Sequence, residues 1–345
     1  MYVNNHIHTT YSFSPYSPAQ AVAKAAEAGL KTAGIMDHDS ISGAQEFIAA
    51  GERIGIATTI GVECRVKVTG TRLAGRRINS PDQKSIMYIA LHAIPHRHIN
   101  TVIDFFKPLC EQRNIRNRAM VDNVNRLLTG VSLDFDKDVY PLSMAESGGS
   151  ITERHIMYAL AKKITATGDV LDELENIGVE VSGKNRDYLT DKENPYLEYD
   201  LVGVLKGSLI PKVYVDATDE CPEVSELIAF GKDINAITAY AYLGDVTNSI
   251  TGDKLAQSFE DDYIELLFEE LNRLGFDAFT YMPSRNTTQQ LMRVRSLCDK
   301  YGFMQISGED INSPRQSFIC EALNNPMFQN LIDATWELIR HEREG

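Results

Sequence analysis

The sequence predicts an α/β fold, a parallel sheet or barrel interrupted by a mainly helical insertion. Three observations lead there. From Tyr2 to Glu63, short apolar runs alternate with helical stretches across brief connections, the pattern of β-α-β units. The alternation lapses after residue 104 and returns near residue 216, so the barrel is drawn over 1–104 and 216–345 and the insertion over 105–215. Each of the first three strands also runs out into side chains of metal-ligand type, at the end where parallel α/β folds gather their reactive groups.

The elements follow in order. Tyr2 to Ile7 reads as a strand, and Thr9 to Ser17, rich in Ser, Thr, Tyr and Pro, as a loop. Ser17-Pro18 is a helix start, Ala19 to Ala28 the helix and Gly29 its stop. Thr32 to Met36 is a strand ending in Asp37-His38-Asp39, Gly43 to Ile54 a helix, and Ile56 to Val62 a strand ending in Glu63. Gly70 to Asp82, with Arg72, Arg76 and Arg77, reads as a hairpin or loop. Ser85 to Leu91 is a fourth strand with His92 at its exit; His96 and His98 fall on a surface turn. Residues 102–128 have helical period with a break at Pro108, and Arg113, Arg116, Arg118 and Arg126 read as a solvated face. A turn at Gly148-Gly149-Ser150 leads into a helix carrying His155, and helical patterns run to about Ile177; Val179 to Asp219 reads as irregular. Beyond Pro222 come a helix to Lys232, a strand Ile234 to Tyr242, a helix Asp261 to Leu274, a strand Phe276 to Tyr281, a helix Thr287 to Tyr301, a strand Phe303 to Ile306 and a last helix from Pro326 to Glu342.

Composition narrows the function. The 345 residues carry a formal net charge of −14, which argues against a surface that tracks nucleic-acid phosphates. A small anionic substrate stays open, because a bound cation inverts the local charge. The five cysteines are scattered and form no CxxC, the pattern of reduced thiols. No apolar run has the length of a membrane span, and no basic segment precedes an apolar core at the N-terminus, so the expectation is a cytoplasmic protein with no membrane partner. Nothing in the composition speaks to oligomeric state.

The chemistry begins with Asn5-His6-Ile7-His8-Thr9. Histidines two apart on a strand point to the same face, and two neutral imidazoles make half of a divalent-metal site. Asp37, His38, Glu63, His92 and Asp310 stand at later strand exits, with His155 at the insertion. Mixed imidazole and carboxylate ligands suit Zn, Mn or Fe, and Glu63 could bridge two ions. Such a site lowers the pKa of a water and clamps the oxygens of a displaced group, which suits phosphate-ester hydrolysis. No Walker loop and no GxGxxG follows a strand, so nucleotide-driven and hydride-transfer chemistry is not indicated.

Taken as an ordered set, His6-Ile7-His8-Thr9, Asp37-His38-Asp39, Gly61-Val62-Glu63 and Ser307-Gly308-Glu309-Asp310 resemble the motifs of the PHP (polymerase and histidinol phosphatase) family. The segment from Glu111 to Leu128, then Ile151 to Leu160 with His155, is similar to the helical insert of its branch that dephosphorylates nucleoside phosphates, and Phe279 to Arg285 is similar to that branch's penultimate strand and loop. The resemblance implies a distorted (β/α)7 TIM-like barrel and a phosphoesterase site with up to three ions. His6, His8, Glu63 and Asp310 would supply one position in full. A second would use Glu63, His155 and His92, without the usual histidine, since Tyr242 stands in its place. A third, around Asp37 and His38, would have only Asn312 as its last partner. Ser12-Phe13-Ser14 stands where Ser-Asp-Gly is usual, and Tyr88 rather than His92 could align with a family ligand.

The resulting expectation is a metal-dependent phosphoesterase acting on a small phosphorylated substrate, with Asp37 or His38 carrying a proton or orienting a ligand and Arg285 holding the phosphate. Two other readings share these motifs. One is a PHP-like domain without turnover that binds a phosphorylated small molecule or a protein, a reading fed by Tyr242 and Asn312. The other is a metal hydrolase of amide or ring C–N bonds, against which the absence of a metal-bridging barrel lysine would count.

Overall fold

A computed structural model describes residues 1–128, 130–246 and 257–345. Seven strands form one sheet in sequence order: β1 (Tyr2–Ile7), β2 (Leu30–His38), β3 (Ala57–Lys67), β4 (Ile86–His92), β5 (Ile237–Ala241), β6 (Ala278–Tyr281) and β7 (Met304–Ser307). The sheet nearly closes. Just past its ends, β1 and the β7 exit meet in a parallel bridge, Ile7 to Ile311, and two side chains do the rest. The Asn5 amide donates to the Ser307 carbonyl at 2.7 Å, and Asn4 donates to the Glu309 carbonyl at 3.1 Å. Gly308 makes this approach possible: a Cβ there would lie 2.7 Å from the His6 Cβ. The fold is thus a nearly closed seven-stranded α/β barrel.

The strands are not all parallel as the alternation suggests. β4 runs antiparallel to both β3 and β5, because the 68–85 loop folds the chain straight back without a crossover helix. β3 therefore runs four residues past Glu63 to Lys67, and Glu63 sits inside a strand, paired with Ala90, rather than at an exit. β2 likewise extends through His38. Inside the barrel, Met36, Ala90, Ala239, Ala278 and Ile306, each from a different strand, pack together with Leu338. Small residues here fit a narrow interior. Gly61 is required for the same reason, since a Cβ would come within 2.5 Å of the Leu91 carbonyl and of Met36.

Helices cover the outside: α1 (Pro18–Glu27), α2 (Ala44–Ile54), then, between β4 and β5, α3 (Ile99–Leu127), α4 (Glu153–Thr167), α5 (Val170–Asn176), α6 (Gly183–Thr190), α7 (Leu197–Val213) and α8 (Val224–Asp233), and finally α9 (Ile264–Leu274), α10 (Thr288–Tyr301) and α11 (Gln329–Glu344). α1 opens with a capping box between Ser17 and Gln20 and a proline in its first turn. α11 closes the end of the barrel where β3 and β5 begin: Leu338 joins the interior cluster, and the Glu342 carboxylate accepts from Thr59 Oγ1 and the Ile60 amide. Among the described residues no helix is long and apolar enough to cross a membrane.

Three helical features depart from the sequence reading. α3 continues unbroken through Pro108; one lost backbone bond is offset by burial of Val102 and Phe106 before it and Met120, Val121 and Val124 after it. Val179 to Asp219 is not irregular, for α6 and α7 together take up most of its span. α7 buries Leu201, Val202, Val204, Leu205, Leu209, Ile210 and Val213, so its apolar residues are spread around the helix and show no single stripe. And Arg113 and Arg116 are buried, not solvated, whereas Arg118 keeps the exposed position expected. α4 and α7 lie against each other in a second core, built also from Met120, Val121, Val124 and Phe135.

A buried carboxyl gives this fold a pH signature. The Glu260 side chain accepts from the Leu243 and Gly244 amides, just beyond β5, and is fully buried beside Tyr240, Tyr263 and Asp261. Burial pushes it up to about 7 from 4.5, and the two amide bonds offset only part of that. Between these values the folded chain holds a proton that the unfolded chain releases, so this residue makes stability fall as pH rises from about 4.5 to about 7. Glu260→Gln is expected to flatten that slope, a difference on the order of 3 kcal/mol across the window. Urea midpoints of both proteins at about pH 5 and about pH 7.5 check it; parallel slopes would refute it.

Candidate metal centre

At the β-strand ends opposite α11, five side chains meet. His6 and His8 follow one another on and just after β1, His38 closes β2, Glu63 lies in β3, and Asp310 stands in the loop after β7. Glu63 Oε2 lies 3.1 Å from His38 Nδ1, 3.6 Å from His6 Nε2 and 4.0 Å from His8 Nε2. His8 Nε2 lies 3.2 Å from Asp310 Oδ1. Among the described residues two overlapping groups have their ligand atoms within 4.8 Å of one another: His6, His8 and Asp310, and His8, His38 and Glu63.

The tautomer of His8 follows from its neighbours. Asp37 is buried and accepts from the Thr9 amide at 2.6 Å, from Thr9 Oγ1 at 2.5 Å and from Ser12 Oγ at 2.6 Å. Ser12 has one hydroxyl proton and gives it to Asp37, so toward His8 Nδ1, 3.2 Å away, its oxygen accepts. In the neutral ring that puts the proton on Nδ1 and leaves the Nε2 lone pair facing the Asp310 and Glu63 carboxylates. A lone pair and two anionic oxygens in one place call for a cation between them. His6 Nε2 is buried with no hydrogen-bond partner. A divalent ion satisfies both features, and an imidazole–carboxylate donor set suits Zn, Mn or Fe.

The electrostatics agree. Burial would raise Glu63, but the charges of His6 and His38 and the close approach of the His38 ring outweigh it and hold the carboxylate well below its usual range. Burial lowers His38 below the usual imidazole value, and His8 and Arg113 add to this against the pull of Glu63. Both shifts favour an ionised carboxylate and an unprotonated His38, the forms that bind metal, whereas His6 moves the other way: burial would lower it, but Glu63 and Asp310 raise it above the usual imidazole value.

The remaining sequence candidates fall as follows. His92, last residue of the antiparallel β4, pairs with Ile237 at the start of β5 and so lies a layer below Glu63, away from the mouth. It enters neither group, and burial lowers it to about 3. Tyr88, two residues back along β4, takes the upper position, with its ring 5.9 Å from that of His38. His155 lies at the start of α4, held by the Thr152 amide donating to its Nδ1 at 3.0 Å, with Phe13 edge-on at 5.1 Å; it joins neither group, and burial lowers it to about 3. Ser150 brings this helix to the site by donating from Oγ to the His38 carbonyl. Asn312 donates to Asp310 Oδ1 at 2.7 Å rather than joining Asp37 and His38. Tyr242 donates to Asp261. Arg285 donates from Nε to the Leu243 carbonyl, tying the loops after β5 and β6 together. Arg72 pairs with Glu269, Arg76 lies over Tyr263 and Arg77 donates to the Pro81 carbonyl.

The sequence reading does not single out Thr9 and Ser12, though hydroxyls directly after a histidine pair are the signal for them. Nor does it foresee the buried ion network beside the site. Arg65, on the same face of β3 as Glu63, meets Glu220 and Glu153; Arg116 meets the same two; Arg113 meets Asp39 at 2.7 Å.

Comparison with known proteins fits this geometry. A family model of the PHP domain matches residues 4–198, more than half of the chain. The chain belongs to the PHP family. No curated protein sequence is a significant match. Among solved structures, one from Bifidobacterium adolescentis assigned as a metal-dependent phosphoesterase aligns with a TM-score of 0.61 at 19% identity, covering 98% of this chain and 96% of its own. An amidohydrolase from Chromobacterium violaceum, with bound sulfate and no metal, aligns with a TM-score of 0.61 at 17% identity over 97% of each chain. At such identities the likeness speaks for the fold.

Proposed function

We propose that this PHP protein is a metal-dependent hydrolase of a small phosphate ester. The observation that carries the reading is the convergence of His6, His8, His38, Glu63 and Asp310, with the His8 lone pair aimed at two carboxylates. These five would hold one or two divalent ions. When bound, the ions supply Lewis acidity and a water of lowered pKa, the needs of ester hydrolysis. The rest is the work of this chain. Asp37 acts through Thr9 and Ser12 to fix the His8 ring, so its part is positioning; its oxygens are already engaged by three donors. With one ion held by His6, His8, Glu63 and Asp310, His38 is left without metal and is the proton carrier, since burial favours its neutral, accepting form. Arg113, beside Asp39 and close enough to His38 to lower it, adds positive charge behind that imidazole. The esterase reading is supported by the family match and by the named class of one structural neighbour.

A second reading, binding without turnover, draws on Asn312 and Tyr242 being turned to Asp310 and Asp261. One experiment separates them. Metal-free protein is reloaded with Mn, Zn or Fe(II) and given p-nitrophenyl phosphate, a panel of nucleotide and sugar phosphates, and N-acyl amino acids. The proposal expects metal-dependent release of inorganic phosphate. Metal uptake with no product from any ester would leave the binding reading, and cleavage of amides alone would reassign the bond.

A further inference from the structure

We infer that Arg315 is a positioning residue for the metal centre: it pins the Asp310 loop to the helical layer, so that ion affinity depends on that layer being docked. The inference rests on the reading of Asp310 as a ligand.

Asp310 is the most exposed member of the five, its side chain 40% accessible, and it stands on a loop rather than a strand. A ligand so placed needs an external brace. The brace is built in two steps. Gln316 wraps the loop: its Oε1 accepts from the Asn312 and Ser313 amides, both at 2.7 Å, and its Nε2 donates to the Asp310 carbonyl at 2.7 Å. The adjacent Arg315 reaches away from the barrel to α7. Its Nε lies 2.5 Å and its Nη2 2.8 Å from the two oxygens of Asp200, and Nη2 also donates to Asn194 Oδ1 at 3.0 Å. The guanidinium is stacked 3.7 Å above the Tyr188 ring of α6, with Tyr196 at 5.3 Å. Asn194 closes the assembly by donating to the Tyr188 carbonyl and to Asp200.

A planar fork engaged on both prongs and stacked on a ring is a site where lysine cannot substitute. Its partners all come from the segment between β4 and β5, whereas the loop it holds carries the carboxylate that faces His8. Loosening the clasp frees the loop and leaves His8, His38 and Glu63 in place.

The test is calorimetric titration of metal-free protein with Mn(II) or Zn(II), with thermal melts of the metal-free forms confirming that each variant is folded. Arg315→Ala and Arg315→Lys are expected to weaken binding about tenfold, as outer partners of a ligand do. Asp200→Asn should do the same, and the double variant Arg315→Ala/Asp200→Asn should be no worse than either. Arg118→Ala is the control. It removes another bidentate pair, Arg118 to Asp136, that does not touch the Asp310 loop, and should leave binding unchanged. Parent-like affinity in Arg315→Ala, or full rescue by lysine, overturns the inference while the metal centre stands. An equal loss in Arg118→Ala overturns it too, by assigning the effect to general loosening. A parent protein that binds neither ion removes the reading of the site, and the inference with it.

Discussion

The double variant His6→Ala/His8→Ala is expected to lose the divalent metal of the parent protein and to drop phosphate-ester turnover by about a hundredfold or more. The size of the effect follows from the geometry. His8 belongs to both overlapping ligand groups and His6 to one, so the pair cannot be removed without breaking each group. What remains is His38, Glu63 and Asp310, with no imidazole left between the two carboxylates. Elemental analysis of parent and variant after chelation and reloading is the direct check, and hydrolysis of p-nitrophenyl phosphate is the second. Retained metal with lost turnover would place the ions elsewhere in the chain and would remove the five-residue centre from consideration.

How much of this could be read beforehand depends on the range of the interactions. The histidine pair is legible because strand periodicity is local: two residues apart on β1 means one face, whatever the rest of the chain does. His38, Glu63 and Asp310 are legible as residue types in order, even though Glu63 proved to be inside β3. What the sequence misses is the level at which His92 sits, because strand direction is not a local property. Nothing in Ile86–His92 records that it pairs antiparallel with both neighbours, yet that alone moves Tyr88 to the mouth and His92 a layer below. The helices show the same limit. A single apolar stripe announces α2, while α7 has none because its buried residues are spread over more than one side of the helix. Asp37 is visible as a candidate acid, but its three donors are found only when Thr9 and Ser12 fold back over β2.

The buried arginines are the most consequential case, and they carry the second large prediction. On α3, Arg113 and Arg116 have the spacing of a solvated face; their partners, Asp39, Glu153 and Glu220, lie far away in sequence and come together only in the fold. Arg65 joins them from β3, so three guanidinium groups face three carboxylates in a nearly water-free layer between barrel and helices. Glu220 is central: Arg65 Nη2 and Arg116 Nε lie 2.5 and 2.8 Å from its two oxygens, and Arg113 Nε lies 3.7 Å away. Glu220→Gln keeps the shape and removes the charge, leaving three buried cations against two anions. Breaking one member of a buried set is strongly destabilising, since the others keep their desolvation cost without its compensation, and a loss of about 3–5 kcal/mol in unfolding free energy is expected. Denaturant titration should show a lower midpoint at unchanged slope. A loss below about 1 kcal/mol would mean the network behaves like exposed ion pairs, contrary to its burial. Because Arg65 stands two residues from Glu63 on the same face of β3, the same variant should also loosen the metal centre. The layer that holds the helices over the barrel mouth is the layer that fixes one wall of the site.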